Sequence, residues 1–227
     1  MLITEVDRTK VIGNPEVIEA WTGFEFKGRA GAYSSMRWNK NHFTGVDYDD
    51  KTKKSAVWLF EDKSWAHEVD EELGNYDYLY LRLCSSFCGL KALTTCSMFA
   101  DIDHAHLEVR EDLFNWVQWL SSQLKLGGLR LDAIKHYSAK FLRDFLEIID
   151  QRVDRNWFIV GEYWRDDSEI LAHYIEYMNN RISLFDVKLL GNFSRLSLME
   201  SSDLRTVFNG SLLMLKPHNT VVSFLFV

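Results

Sequence analysis

Apolar residues recur at helical spacing through the second half of the chain. Phe141, Leu142, Phe145, Leu146 and Ile149 share one face of a segment that Ser138 can cap, which predicts an amphipathic helix over 138–153. Val109, Leu113, Trp116, Val117, Leu120 and Leu124 mark a helix before it, and Ile170, Leu171, Tyr174 and Ile175 one after it. Short apolar runs lie between these helices. Gly128 to Leu131 ends in Asp132, Trp157 to Gly161 ends in Glu162, and both read as buried strands. Further strands are predicted over 182–187 and 220–227, with a short helix over 203–208 and Gly210 beyond its end.

Strand, helix, strand is a βαβ unit, so the strands ending in Asp132 and Glu162 should be parallel neighbours. The two acids are 30 residues apart, close to one eighth of the roughly 250 residues of a (β/α)₈ barrel. The fold class is therefore α/β: an incomplete (β/α)₈ TIM-barrel fragment with about four of the eight barrel strands. Residues 107–227 form this part. Residues 1–106 are different, rich in glycines, aromatics and charges, with little sustained helical period. Trp21, Tyr33, Trp38, Tyr48, Trp58 and Trp65 are expected to pack a core of their own there.

Composition narrows the function classes. A chain of 227 residues with 47% hydrophobic content can bury a substantial core, and a net charge of −7 argues against nucleic-acid binding. No apolar run approaches the roughly 20 residues that span a bilayer, so no membrane partner is expected. The N-terminus lacks a signal peptide's apolar region. Met1 is not taken as a native start, so localisation stays open with the cytoplasm favoured, and oligomeric state is not legible. Fourteen per cent aromatic residues, with eight Trp, suits a protein that stacks sugar rings. Cys84, Cys88 and Cys96 have neither a CxxC pair nor a nearby histidine, which supports neither zinc nor a disulfide framework.

The candidate chemistry sits at the two strand ends. Alternation puts Leu129 and Leu131 on one face, and Arg130 and Asp132 on the other. An arginine two residues before a carboxylate can hold it ionised, although a purely structural Arg–Asp pair has the same spacing. Neighbouring strands lie about 4.8 Å apart, so the two carboxylates can approach the roughly 5–5.5 Å of retaining glycosidases. Asp132 is then the nucleophile. Glu162, beside Tyr163 and Trp164, is expected to be held nearer neutral as acid/base, because desolvation disfavours its charge. Asp47, Asp77, Asp101 and Asp103 offer the hard oxygens that Ca²⁺ prefers, or are solvated loop acids.

Gly128-Leu129-Arg130-Leu131-Asp132-Ala133-Ile134-Lys135-His136 resembles the nucleophile motif of the alpha-amylases, and Val160-Gly161-Glu162-Tyr163-Trp164 their acid/base motif. Trp21-Thr22-Gly23-Phe24, His42 to Asp47, Gly74 to Leu79, Ala100 to Asp103 and Leu184 to Val187 follow in family order, with liquefying bacterial and fungal-type members most similar. The resemblance implies hydrolysis of internal α-1,4 bonds in starch- or glycogen-type glucans through a covalent glycosyl-enzyme. It makes residues 1–106 a β-rich, calcium-binding subdomain inserted after the third barrel strand. It gives Arg130, Lys135, His136 and Trp164 to the substrate, and one calcium to Asp77, Asp101 and the His136 carbonyl. Ala66 and Ala105 stand where relatives with additional metal positions carry acids. His42, His104 and His106 are left as structural or exposed.

The resemblance also marks departures. An upstream asparagine ligand, the first three barrel strands and the downstream Asn-His-Asp motif with a third acid have no counterpart here. The rival expectation is thus a catalytically inactive truncated chain that at most binds calcium or glucan. Between Leu79 and Met98 the resemblance lapses. Removing the 18 residues of 80–97 restores a six-residue step from Asp77 to Asp101. That segment is expected to be an insertion foreign to the fold, arising from a gene model or from splicing, that weakens the metal site.

Overall fold

The computed structural model describes residues 15–63, 73, 100–198 and 203–222. Two sheets organise them. β1 (Phe43–Asp49), β2 (Lys54–Leu59) and β3 (Ala100–Ile102) form an antiparallel sheet in the order β2-β1-β3. β4 (Gly128–Leu131), β5 (Phe158–Gly161), β6 (Ser183–Phe185) and β7 (Thr220–Val221) form a parallel sheet in sequential order. Between these strands run α1 (Leu107–Gln123, ahead of β4), α2 (Ala139–Arg152), α3 (Ser168–Tyr177), α4 (Val187–Ser197) and α5 (Leu212–Leu215). α/β content with four parallel strands in this order fits part of a TIM-type barrel.

The predicted βαβ unit is present. Ser138 caps α2, its Oγ accepting from the Phe141 N–H at 3.2 Å, and Phe141, Leu142, Phe145, Leu146 and Ile149 are all buried. They pack with Ile159, Ile175, Ile182 and Leu184 into the larger of the cores. β4 and β5 pair in register, Arg130 opposite Val160 and Leu131 opposite Gly161. Two glycines permit this approach. A Cβ on Gly128 would lie 1.9 Å from the Phe158 carbonyl oxygen, and one on Gly161 would lie 2.5 Å from Ile134 Cδ1 and 2.8 Å from Ile182 Cδ1.

The Gly161 contact gives a stability prediction. The obstructing atoms are the ends of flexible side chains, so Gly161→Ala should fold but lose about 1–2 kcal/mol through overpacking. Ile134→Val in that background removes the closest methyl and should recover part of the loss. Urea unfolding of the single and double variants measures both, and an additive double variant would mean that Ile134 is not the obstruction.

Several expectations shift. Trp38 and Trp58 are buried as predicted, but Trp21 is 79% exposed and belongs to no core. The strand predicted over 182–187 ends at Phe185, because Asp186 caps α4: its Oδ1 accepts from the Leu189 N–H at 2.8 Å and its Oδ2 from the Leu213 N–H at 2.9 Å. The helix over 203–208 is one 3₁₀ turn, Leu204–Thr206, capped by Asp203. Trp65, Ala66, Asp77, the cysteines and the 80–97 segment lie outside the described residues. Among the described residues no helix is long and apolar enough to cross a membrane.

Candidate active site

Asp132 and Glu162 emerge side by side from β4 and β5. The main chain locks their registers together: the Glu162 N–H donates to the Leu131 carbonyl at 2.8 Å, and the Ile134 N–H to the Glu162 carbonyl at 3.0 Å. Arg130 spans both acids with one nitrogen, Nη2, at 3.3 Å from Asp132 Oδ1 and 3.4 Å from Glu162 Oε2. Its guanidinium also lies over the Phe185 ring, 5.7 Å from the centroid. The arginine expected to serve Asp132 alone therefore serves both acids.

The two carboxyls also hydrogen-bond to each other, and their environments differ. The Asp132 carboxyl is raised above its ordinary range by the hydrogen bond with Glu162, then by desolvation and the Glu162 charge, against the pull of Arg130. Burial pushes Glu162 up, but hydrogen bonds from Asp132, Trp164 and the Ala133 N–H, together with Arg130, bring it below its ordinary range. Only 14% of the Glu162 side chain is exposed against 77% of that of Asp132. The expectation that Glu162 would be the neutral partner is thus reversed in the substrate-free site. Desolvation acts as anticipated, but donors converging on Glu162 outweigh it.

Two of these donors were not anticipated. Trp164 Nε1 donates to Glu162 Oε1 at 2.5 Å. The Glu-x-Trp spacing carries that signal, since residues two apart at a strand end project to one side. Ala133 has φ 50° and ψ 37°, a left-handed conformation costly for a residue with a Cβ. This turn aims its N–H at the Glu162 carboxylate, and no sequence feature marks it.

The remaining site residues are partly assembled. Lys135 Nζ donates to the Trp164 carbonyl at 3.0 Å, and the Trp164 side chain is 42% exposed. Glu162, Trp164, Phe185, Asp186 and Leu190 line a small cleft. Burial, then the Asp132 charge, pushes the Tyr137 phenol far above the usual range. His136 ends the 3₁₀ turn Ile134–His136 and donates its N–H to the Ala133 carbonyl at 3.0 Å.

Asp101 lies on β3, where its carboxylate accepts from the Thr44 hydroxyl. The His104 ring packs 5.4 Å from that of Tyr137, so the loops after β3 and after β4 run together. The Asp101 carboxylate on β3 and the His136 carbonyl after β4 are hard oxygen donors of the kind Ca²⁺ takes. Such an ion would tie the antiparallel sheet to the parallel one. A second cluster, His42, His106 and Glu108, brings its donor atoms within 4.8 Å of one another. Two imidazoles suit Zn²⁺ rather than Ca²⁺. However, His42 Nδ1 accepts the Asn39 N–H at 3.1 Å, which leaves the proton of the neutral ring on Nε2, 3.1 Å from Glu108 Oε2. No lone pair remains for a metal, and His42 is a structural residue.

No family model matches the chain. It is 34% identical over 220 residues to an alpha-amylase of Bacillus licheniformis, covering 96% of this chain and 40% of that relative. It is 35% identical over 219 residues to a glucan 1,4-alpha-maltohexaosidase of Bacillus sp. (strain 707), covering 95% of this chain and 39% of that relative. The chain thus spans about two fifths of the length of these relatives. Among solved structures, an Anoxybacillus alpha-amylase matches with a TM-score of 0.40 and 26% identity, over 43% of this chain and 21% of that one.

Proposed function

We infer that this chain is a member of the alpha-amylase family, as its similarity to the Bacillus relatives supports, and that it carries the nucleophile and the acid/base of a retaining glycoside hydrolase acting on α-1,4-linked glucans. The observation that carries the reading is the bridging of two strand-end carboxylates by one Arg130 nitrogen, at 3.3 and 3.4 Å. Acids held by one nitrogen favour the short separation of retaining enzymes, roughly 5–5.5 Å, over the wider one that leaves room for a water in inverting ones.

Entry of a glucan displaces the hydrogen bond between the acids. Arg130 then holds Asp132 ionised, and its carboxylate attacks the anomeric carbon as the bond to the leaving oxygen breaks. Glu162 gives its proton to that oxygen. In the second half the Glu162 carboxylate takes a proton from water, whose oxygen attacks the same carbon and releases Asp132. Trp164 offers an exposed ring face for a sugar, and Lys135 fixes its backbone. Asp77, Asp101 and the His136 carbonyl are the residues to hold a calcium ion, whose part is structural.

Retention is read directly from the anomer first released. Proton NMR of fresh maltooligosaccharide products should show the α anomer before mutarotation. A β anomer at the earliest time points would overturn the double-displacement reading.

A further inference from the structure

We propose that Trp164 is a positioning residue for Glu162: its indole N–H holds the carboxylate in the substrate-free site and competes there with the proton that bond cleavage needs. The proposal rests on the acid/base reading of Glu162 and adds a control built into the neighbouring side chain.

The geometry is asymmetric. Trp164 is tethered at its backbone, where the carbonyl accepts from Lys135 Nζ at 3.0 Å, while its side chain is 42% exposed. The indole N–H donates to Glu162 Oε1 at 2.5 Å. A donor at that distance stabilises the anion of its acceptor and not the acid. The first half of a retaining reaction needs Glu162 protonated, and the second half needs it as a carboxylate. The indole therefore opposes the first step and assists the second. A sugar ring that draws the exposed indole away from Oε1 would remove this bias toward the Glu162 anion. No covalent chemistry passes through Trp164.

The other charged groups around Glu162 are accounted for. Arg130 Nη2 lies 3.4 Å from its Oε2, and Asp132 shares a hydrogen bond with it. Lys135 reaches the Trp164 carbonyl. Asp186, across the cleft, is occupied by the N–H groups of Leu189 and Leu213. The Tyr137 phenol feels the Asp132 charge.

Trp164→Phe keeps an aromatic ring and removes the donor together with part of the indole surface. The readout needs no turnover: carbon NMR of glutamate side-chain carboxyls in this chain, with the Glu162 signal assigned by its loss in Glu162→Gln. In Trp164→Phe the midpoint of the Glu162 titration should rise by about one pH unit, the scale of one hydrogen bond to a partly exposed charge. Tyr163→Phe is the packing control. It removes the neighbouring hydroxyl, which donates to the Leu73 carbonyl at 2.8 Å, and should leave the midpoint in place. An unchanged or lowered midpoint in Trp164→Phe, or equal shifts in both variants, would overturn the proposal. If the midpoint moves as expected while a turnover-competent form of the sequence fails to hydrolyse glucan, the functional reading falls and the positioning role stands.

Discussion

Asp132→Asn should lower glucan hydrolysis by on the order of 10⁴-fold or more in a turnover-competent form of this sequence, the scale of losing a covalent nucleophile. Its amide stays within reach of Arg130 but has no charge with which to attack the anomeric carbon, so no glycosyl-enzyme should form. Glu162→Gln should differ in kind. It removes a proton donor, worth roughly 10²–10⁴-fold, and the loss should depend on the leaving group. Glucan, whose leaving oxygen needs the proton, should suffer most, and an activated aryl glycoside least in the glycosylation half. Mass spectrometry of a trapped intermediate locates the covalent bond. Finding the sugar on Glu162 would reverse the assignments. Comparable losses in both variants on every substrate would remove the acid/base role.

The parts of this site that were legible in the sequence are those governed by local pattern. Apolar spacing from Phe141 to Ile149 with Ser138 ahead of it specified α2, because the helix must bury that face whatever surrounds it. Two apolar runs ending in acids specified β4 and β5 and their pairing, since one short helix joins them. Trp21 could not be read that way. An exposed and a buried tryptophan look alike in sequence, and the balance is struck by partners distant along the chain. The protonation of the acids was misjudged for the same reason. Desolvation of Glu162 followed from Tyr163 and Trp164, but of the opposing donors only the Trp164 indole is local; the others come from Asp132, from Arg130 on β4 and from the left-handed turn at Ala133. The early end of β6 also came from long range, since Asp186 is claimed by N–H groups at Leu189 and at Leu213, 27 residues away. The Asp77 ligand and the 80–97 insertion lie outside the described residues and remain proposals.

The largest expected effect on stability lies away from the acids. Arg29 Nη1 and Asp112 Oδ1 are 3.2 Å apart, with side chains only 8% and 5% exposed. They are 83 residues apart in sequence and join the 3₁₀ turn Lys27–Arg29 to α1. Arg29 is held on other sides too, its Nη2 donating to the Met36 carbonyl and its guanidinium lying 5.1 Å from the centroid of the Tyr33 ring. Asp112→Ala would leave a buried guanidinium fixed in place without its counter-charge. Breaking a pair of this kind costs about 3–5 kcal/mol, most of it the penalty of the stranded ion. The pair as a whole need not be worth that much. Arg29→Met combined with Asp112→Leu removes both charges and should recover most of the loss. Arg205 and Asp203, 90% and 42% exposed at 2.9 Å, provide the contrast. Water already solvates both, so Asp203→Ala should cost far less than Asp112→Ala, its cap on the 3₁₀ turn Leu204–Thr206 included. Urea unfolding of these variants ranks the terms. An Asp112→Ala loss no larger than that of Asp203→Ala would show that solvent reaches the Arg29 site and that no buried charge pair joins the 3₁₀ turn to α1.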